Sequence, residues 1–317
     1  MATKNLTKPL ALSPNGHVAV LAISSPSSPE RIDQGRDYLQ RSGLSVSYAS
    51  NLFSRHRDYL AGPDKTRLAE INLALNSPRF DAFLFSRGGY GAMRILDEID
   101  YAAIARNPRP IIGFSDITAL AQAVAIRAGV STFHGPMVNT DFHGGLSPSM
   151  EAWFWSMLRG ESGLTHHFAP AQVISPGKIS GILFGGCLSL TVALMGTPYD
   201  FWIDDGIWFF EEVDEPTYRI DRMLTQLRLS GRLRSIRGVM IGKLKDCGRK
   251  APAELDELLL DFFSRSGIPV VRDLPFGHHG DNLMLPIGAR VDLDTPALQF
   301  AFPEPAVICG EEERGAS

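Results

Sequence analysis

Cysteine is scarce in this sequence. Its 317 residues include only Cys187, Cys247 and Cys309, an odd number of thiols that lie far apart and form no C-x-x-C pair. This pattern argues against a disulfide framework and against a structural zinc site. Because free thiols persist in a reducing compartment, we expect a cytoplasmic protein.

Long apolar runs and excess positive charge are missing as well. No window approaches the roughly 18 consecutive apolar residues of a membrane span. The segment 1–15 lacks the charged, apolar and cleavage regions of a signal peptide. The formal net charge is −4, so no basic field is available to bind phosphate groups. We therefore expect neither a membrane nor a nucleic acid as a partner.

What is present is the composition of an ordinary globular protein, with 44% hydrophobic and 21% charged residues. The length suits two domains of about 150 residues each, which we place at 1–165 and 166–317. In the first, strand and helix signals alternate, which predicts a parallel sheet with helices on both faces. The predicted strands are 17–23, 44–49, 82–85 and 110–114, and the predicted helices are 30–42, 65–75, 92–99, 117–128 and 151–159.

The second domain has a different pattern. Strand-like runs occur at 179–184, 206–210, 237–242, 270–274 and 290–294, and helical patterns at 188–195, 220–230 and 252–266. We predict an α+β domain with a substantial sheet or small barrel. The segment 168–178 carries two prolines and a glycine, which predicts a linker.

The segment 111–118 (IIGFSDIT) carries a candidate nucleophile, Ser115. A buried strand leads into a turn and then into a helix beginning at Asp116. The positive end of that helix would favour the negative charge that develops on the oxygen of a carbonyl group under attack by the serine. The segment resembles a nucleophile elbow, but Ile117 replaces the second glycine of G-x-S-x-G. A helix cap is the simpler interpretation of Ser115.

A second turn, 86–92 (SRGGYGA), also follows a strand and precedes a helix. Its glycines at 88, 89 and 91 allow the backbone to approach a ligand, and its N–H groups could form half of an oxyanion hole. A phosphate-binding loop is a weaker interpretation, because neither G-x-G-x-x-G nor G-x-x-x-x-G-K-[ST] is present. A tight turn needed only for packing is the other alternative.

Candidate acids and bases end two further strands. The segment 209–216 (FFEEVDEP) could orient a histidine or form a solvated acidic loop. The loop 273–282 carries His278 and His279 between glycines, as candidates for a general base. Their side chains diverge and no other ligand lies at suitable spacing, so we expect no metal. His134, in the segment FHGP, is a candidate for lining the cleft.

A serine nucleophile needs a base within hydrogen-bond reach, and the base needs a carboxylate that fixes its tautomer. The segments supply these groups in the order Ser…Glu…His. Together they resemble the murein LD-carboxypeptidases (muramoyl-tetrapeptide carboxypeptidases), serine peptidases related to the microcin-immunity peptidases. The resemblance extends from about residue 17 to about residue 288. It rests on the order and spacing of SRGGYGAMRILDEIDY at 86–101, IIGFSDITAL at 111–120, FHGPM at 133–137, GG-x-LSL and GTPY at 185–199, and EEVDEPTYRIDRML followed by PFGHHGDNLMLPIG.

This resemblance implies a Rossmann-like N-terminal domain and a barrel-like C-terminal domain, with a Ser-Glu-His triad between them. The matching motifs imply that Ser115 is the nucleophile, His278 the base and Glu211 the acid. We expect Glu211 to be the first carboxylate after the end of its strand. Glu212 is the alternative acid, one residue away. Neither a metal nor an organic cofactor is implied.

The same resemblance points to the backbone N–H groups of Gly89 and Asp116 as oxyanion donors. Arg87 and Tyr90, in the same turn as Gly89, are candidate substrate-binding residues. A guanidinium could hold a terminal carboxylate bidentately, although a structural ion pair or a solvated arginine is the alternative. Cys187 stands where many relatives have asparagine, a departure that bears on specificity.

The predicted activity is release of terminal D-alanine from a cytoplasmic murein tetrapeptide in cell-wall recycling. A microcin-immunity-type peptidase that cleaves a peptidyl-nucleotide amide is the alternative. An α/β-hydrolase esterase is a weaker alternative, because G-x-S-x-G is absent. A non-catalytic protein that binds an anion with its glycine loops is another alternative, and it would not react with a serine-directed probe. The resemblance also implies a homodimer.

Overall fold

A computed structural model describes residues 5–309 of the chain. Its strands are β1 His17–Leu21, β2 Ser45–Tyr48, β3 Ala82–Phe85, β4 Ile111–Ile112, β5 Thr132–His134, β6 Leu164–His167, β7 Val173–Ser175, β8 Lys178–Cys187, β9 Ile207–Val213, β10 Gly238–Lys245, β11 Val270–Val271, β12 Leu285–Ile287, β13 Arg290–Asp294 and β14 Gln299–Phe302. Its α-helices are α1 Pro29–Arg41, α2 Asp64–Asn76, α3 Tyr101–Arg106, α4 Ile117–Arg127, α5 Pro148–Leu158, α6 Leu188–Ala193, α7 Thr217–Leu229 and α8 Pro252–Phe263.

The first sheet has the spatial order β12–β5–β4–β3–β1–β2. Its five strands from the first half of the chain are parallel, whereas β12 runs antiparallel to β5. Strands β3 and β4 are buried along their whole length, because helices cover both faces of a parallel sheet. The carboxyl ends of these strands meet at one edge, where the turns after β1, β3 and β4 come together.

The second sheet has the order β6–β14–β13–β8–β9–β10–β11–β7. Its central strands β8 to β11 are parallel, and the flanking strands pair antiparallel. A parallel sheet followed by a curled mixed sheet confirms the predicted fold class. Strand β6 joins the second sheet and β12 joins the first, so the chain crosses between the sheets more than once. The proposed boundary between residues 165 and 166 stays a prediction.

Three expectations about local structure are corrected. The segment 168–178 is not a linker, since it contains a 3-10 turn at Pro170–Gln172, strand β7 and the first residue of β8. Its prolines are tolerated because they precede the strands and remove no ladder hydrogen bond. The helix expected at 92–99 is a 3-10 helix over Ala92–Glu98. Strand β9 continues to Val213, so Glu211 lies within the strand and not after it.

One hydrophobic core joins the two sheets. Phe114 and Phe133 from the first sheet region belong to the same buried cluster as Phe209 and Phe276 from the second. The ring of His134 lies among them, 5.2 Å from the Phe209 ring. This packing holds the carboxyl ends of β4 and β9 close together.

Candidate active site

Ser115 lies in the turn between β4 and α4, with a φ of 62°. A residue with a Cβ rarely adopts this left-handed conformation, and a serine held there between strand and helix is typical of a nucleophile elbow. Asp116 occupies the N-cap position, so Ser115 is not the cap of α4. The serine Oγ lies 3.0 Å from Nε2 of His278. Gly88 packs against it so closely that a Cβ there would lie 2.7 Å from the Ser115 Oγ.

His278 joins the serine to Glu211. Its Nδ1 lies 2.6 Å from Oε2 of Glu211, and its backbone N–H donates to the same oxygen at 3.2 Å. Gly277 allows the loop to pass this close, because it has a φ of 99° and a Cβ there would lie 2.5 Å from Oε2. A neutral imidazole that donates Nδ1–H to the carboxylate presents the Nε2 lone pair to the serine hydroxyl.

The electrostatics of this pair favour an ionised Glu211 beside a protonated His278. Burial opposes ionisation of Glu211, but the charge and hydrogen bonds of His278 outweigh it and hold the pKa of the carboxyl below its usual range. Burial likewise disfavours a protonated His278, yet Glu211 raises the pKa of the imidazole above its ordinary value. The arrangement therefore stabilises an imidazolium, which forms when a base takes a proton from serine.

Glu212 points to the opposite face of β9, as alternation along a strand requires. Its Oε2 accepts the Ser189 N–H at 2.7 Å, at the start of α6, and the thiol of Cys187 lies 3.5 Å from its Oε1. Burial raises the pKa of Glu212. Of the two adjacent carboxylates, Glu211 is the one that contacts the histidine.

Cys187 is buried between β8 and α6. Burial and the nearby carboxylates of Glu212 and Glu211 raise the pKa of its thiol well above the usual range. Its backbone N–H donates to Thr118 Oγ1 at 3.0 Å, which ties β8 to the nucleophile helix. The side chain thus contacts Glu212 and Ser189 on the far side of the strand from His278.

Two backbone donors flank the serine. Among residues 5–309, neither the Gly89 N–H nor the Asp116 N–H donates a hydrogen bond. The turn and the helix start lie side by side, since a Cβ on Gly88 would lie 3.4 Å from the Asp116 nitrogen. The two candidate oxyanion donors therefore belong to segments that are in contact beside Ser115, and neither N–H group has an acceptor in the described residues.

Arg87 and Tyr90 differ in exposure. Within the described residues the half-buried Arg87 has no carboxylate at ion-pair distance and donates one long hydrogen bond, from Nη1 to the Pro26 carbonyl at 3.4 Å. Burial, together with nearby Arg31, lowers the pKa of its guanidinium. Tyr90 is 46% exposed and its ring lies 5.9 Å from that of Tyr59. An arginine without an acidic partner can bind an anionic ligand through its N–H donors.

Sequence reasoning missed the support behind the histidine loop. Asn282 Oδ1 accepts the Gly277 N–H at 2.9 Å, and Asp141 lies buried nearby, where burial raises its pKa to about 7. Asn282 stands in the motif that carries His278, whereas Asp141 has no sequence signal. His134 does not line the cleft as expected, because it is 1% exposed, and burial lowers its pKa to about 4.

The chain was also expected to lack a metal site, a disulfide and a membrane span. In the described part of the chain, no three His, Cys, Asp or Glu side chains are grouped so that they could hold a metal ion. Cys187, Cys247 and Cys309 are free thiols. Between residues 5 and 309, every helix is too short or too polar to span a bilayer.

Comparison with known proteins shows the family of the chain. A family model described as the LD-carboxypeptidase N-terminal domain matches residues 18–135, and one described as the C-terminal domain matches residues 180–293. A probable murein peptide carboxypeptidase of Bacillus subtilis is 35% identical over 91% of this chain and 92% of its own length. The murein tetrapeptide carboxypeptidase of Pseudomonas aeruginosa is 31% identical, with coverages of 90% and 95%.

Solved structures agree. The muramoyltetrapeptide carboxypeptidase from Oxalobacter formigenes has a TM-score of 0.80 at 29% identity and covers 90% of this chain and 97% of its own. The microcin C7 self-immunity protein MccF has a TM-score of 0.86 with coverages of 95% and 99%, but at 23% identity it shows the fold alone. The fold and the family matches define a serine-type carboxypeptidase. This chain belongs to the LD-carboxypeptidase family.

Proposed function

We propose that this enzyme is an LD-carboxypeptidase that releases the terminal D-alanine from murein tetrapeptides in the cytoplasm, as part of cell-wall recycling. The hydrogen-bonded series Ser115–His278–Glu211 carries the proposal. Two relatives named for murein peptides support the substrate class. Free cysteines are consistent with a reducing compartment.

In the proposed reaction, Ser115 Oγ attacks the carbonyl carbon of the residue that precedes D-alanine. His278 Nε2 takes the hydroxyl proton, while Glu211 remains ionised and stabilises the imidazolium. The N–H groups of Gly89 and Asp116 stabilise the oxyanion of the tetrahedral intermediate. His278 then gives its proton to the amine of the departing D-alanine. Water hydrolyses the acyl-enzyme, with His278 again as the base.

Arg87 is proposed to bind the terminal carboxylate, which would make the enzyme an exopeptidase. The support is its half-buried guanidinium without an acidic partner in the described residues. Arg87→Lys should raise KM for the free tetrapeptide, because lysine cannot reproduce the bidentate contact. A C-terminally amidated tetrapeptide should be a poor substrate of the wild type and no worse for the variant. Equal losses on both substrates would contradict a role in reading the carboxylate.

The decisive experiment incubates the purified protein with murein tetrapeptide and measures released D-alanine. Ser115→Ala should reduce turnover on the order of 10⁴- to 10⁶-fold, and circular dichroism should show an unchanged fold. A variant that keeps a tenth of wild-type activity would contradict the assignment of the nucleophile. Wild-type protein that releases no D-alanine would contradict the proposed substrate.

The sequence relative MccF of Escherichia coli, 26% identical over 91% of this chain, supports a peptidyl-nucleotide amide as the second candidate substrate. A solved MccF structure contains aspartyl sulfamoyl adenosine, which is therefore a suitable probe. We expect this compound to be cleaved far more slowly than the tetrapeptide. Faster cleavage of the nucleotide compound would favour the immunity-type activity.

A further inference from the structure

Arg67, on α2, is a fully buried arginine near the active site. Its Nη1 donates to the carbonyls of Ile23 and Gly91, the latter at 2.8 Å, and its Nε donates to the Gly62 carbonyl at 3.2 Å. Its Nη2 pairs with Asp64. A buried cation is costly unless it is paired and hydrogen-bonded. The segments that carry the accepting carbonyls therefore stabilise the charge of Arg67, and Arg67 in turn stabilises their conformations.

Two of those carbonyls belong to the segments that surround the proposed oxyanion donor. Ile23 lies in the β1 loop (residues 22–25), and Gly91 lies in the glycine turn (residues 86–92). Between them, Gly89 rests on Ser25 so closely that a Cβ would lie 2.1 Å from the Ser25 Oγ. Ser25 N–H also donates to the Gly88 carbonyl at 3.3 Å. The direction of the Gly89 N–H therefore depends on how the β1 loop and the glycine turn are held together.

The carboxylate of Asp116 fastens the same two segments to the nucleophile turn. Its Oδ2 accepts the Ser24 hydroxyl at 2.6 Å and the Ala92 N–H at 2.8 Å. Burial raises the pKa of this carboxyl, and the positive charge of Arg67 opposes that shift. Asp116 also provides the second proposed oxyanion N–H. Arg67 thus holds the two segments from one side, and Asp116 holds them from the side of Ser115.

We infer that Arg67 is a positioning residue for the oxyanion hole: through the Ile23 and Gly91 carbonyls it fixes the Gly89 N–H relative to Ser115. This inference rests on the proposed function, because it presumes that Gly89 stabilises an oxyanion. Arg67 is fully buried and its donors go to protein groups, so its effect on the reaction passes through the backbone. Its loss should then weaken transition-state stabilisation and leave substrate binding intact.

The chain offers a matched control in Arg109. This arginine is 4% exposed and donates to the carbonyls of Leu75, Ser77 and Phe80, with a shortest distance of 2.5 Å. It precedes β4 and so lies at the opposite, amino end of the first sheet. Arg67→Lys and Arg109→Lys each remove donors from a buried guanidinium that binds backbone carbonyls. Both should lower the melting temperature by similar amounts.

Only Arg67→Lys should lower kcat, by about 10- to 100-fold with KM nearly unchanged, because misplacing one oxyanion donor approaches the effect of removing it. Arg109→Lys should keep kcat within about twofold, since its carbonyls lie outside the site. The Kd of the tetrapeptide, measured in a Ser115→Ala background, should be the same with and without the Arg67→Lys substitution. A wild-type kcat in Arg67→Lys would overturn the inference, as would an equal loss of kcat in both lysine variants.

A fluorophosphonate probe separates this inference from the choice of substrate. The rate at which the probe modifies Ser115 depends on the oxyanion donors and not on murein recognition. Slower labelling of Arg67→Lys than of Arg109→Lys would support the inference even if no D-alanine were released. If Arg67→Lys does not fold, Ser24→Ala is the second variant, because it removes one hydroxyl that Asp116 accepts. Ser24→Ala should lower both the labelling rate and kcat severalfold. Unchanged rates would contradict the inference that fixing the β1 loop against the glycine turn positions the oxyanion donor.

Discussion

Glu211 and Glu212 are neighbouring buried carboxylates with separate partners. Glu211 accepts two hydrogen bonds from His278, whereas Glu212 accepts the N–H groups of Ser189 and Val213. The family motif places an acid here but leaves a one-residue ambiguity. Strand alternation resolves the geometry, because only one of two successive side chains can face the histidine loop.

Glu211→Gln should lower kcat on the order of 10³- to 10⁴-fold, because an amide no longer favours the required tautomer or the imidazolium. Glu212→Gln retains an acceptor oxygen for Ser189 and should change kcat only severalfold. Steady-state kinetics on the tetrapeptide compares the two variants, and thermal melting checks that both are folded. The reverse ranking would place the acid at residue 212.

The pH dependence of activity should follow His278. Its pKa is raised, so kcat/KM should fall as pH decreases through a midpoint above about 6.5, the ordinary histidine value. Stability should change in the opposite direction, since a raised pKa stabilises the folded protein fully below about pH 6.5 and less as pH rises through the folded value. Titration of His278 by NMR should give the same midpoint. Removing the negative charge with Glu211→Gln should lower it, and an unmoved midpoint would contradict the coupling.

At the scale of elements, the histidine loop depends on a side chain that touches none of the reacting groups. Asn282 Oδ1 accepts the Gly277 N–H, and that glycine places His278 against Glu211. Asn282→Ala should destabilise the protein by about 1–3 kcal/mol, because a buried N–H loses its partner. It should also lower kcat, since the loop then has more freedom. Urea unfolding and steady-state kinetics measure both losses, and wild-type values of both for Asn282→Ala would contradict this role of Asn282.

Some elements of the fold are predictable from sequence and others are not. The apolar runs at 82–85 and 237–242 predict β3 and β10, because strands buried on both faces carry no polar alternation. Strand β12 has no such signal: it is three residues long, contains Pro286 and is held at the sheet edge by pairing with the distant β5. Such pairing depends on contacts between remote segments, which local patterns do not encode.

The candidate site was likewise predictable in part: its triad residues follow from the sequence, whereas the loop packing around them does not. Glycines and motif order identify Ser115, Glu211 and His278, and these three side chains do meet. The left-handed φ of Ser115 and the burial of Arg67 depend on how several loops pack together. An arginine within a helical pattern is ordinarily expected to be solvated. Its role emerges only when the carbonyls of two separate loops converge on it.

At the scale of the whole molecule, the site requires both sheets to be folded and in contact. The nucleophile follows a strand of the first sheet, and the acid lies within a strand of the second. Strand β12 joins the later part of the chain to the first sheet. The hydrogen bond from Trp153 Nε1 to the Met284 carbonyl, at 2.8 Å, connects α5 to the residue before β12. A continuous core packs residues of both sheets together. These connections favour cooperative unfolding of the two halves.

Urea should therefore unfold both sheets in one transition. Far-UV circular dichroism follows both sheets, whereas a variant that retains only Trp208, in β9, follows the second sheet by fluorescence. Leu84→Ala in β3 removes a side chain that is 1% exposed and should destabilise the protein by about 2–5 kcal/mol. Because the halves share a core, the substitution should lower the urea midpoint of the Trp208 signal as much as that of the circular dichroism signal. An unchanged Trp208 midpoint would mean that the second sheet folds independently, and that the triad forms only when two separately stable units dock.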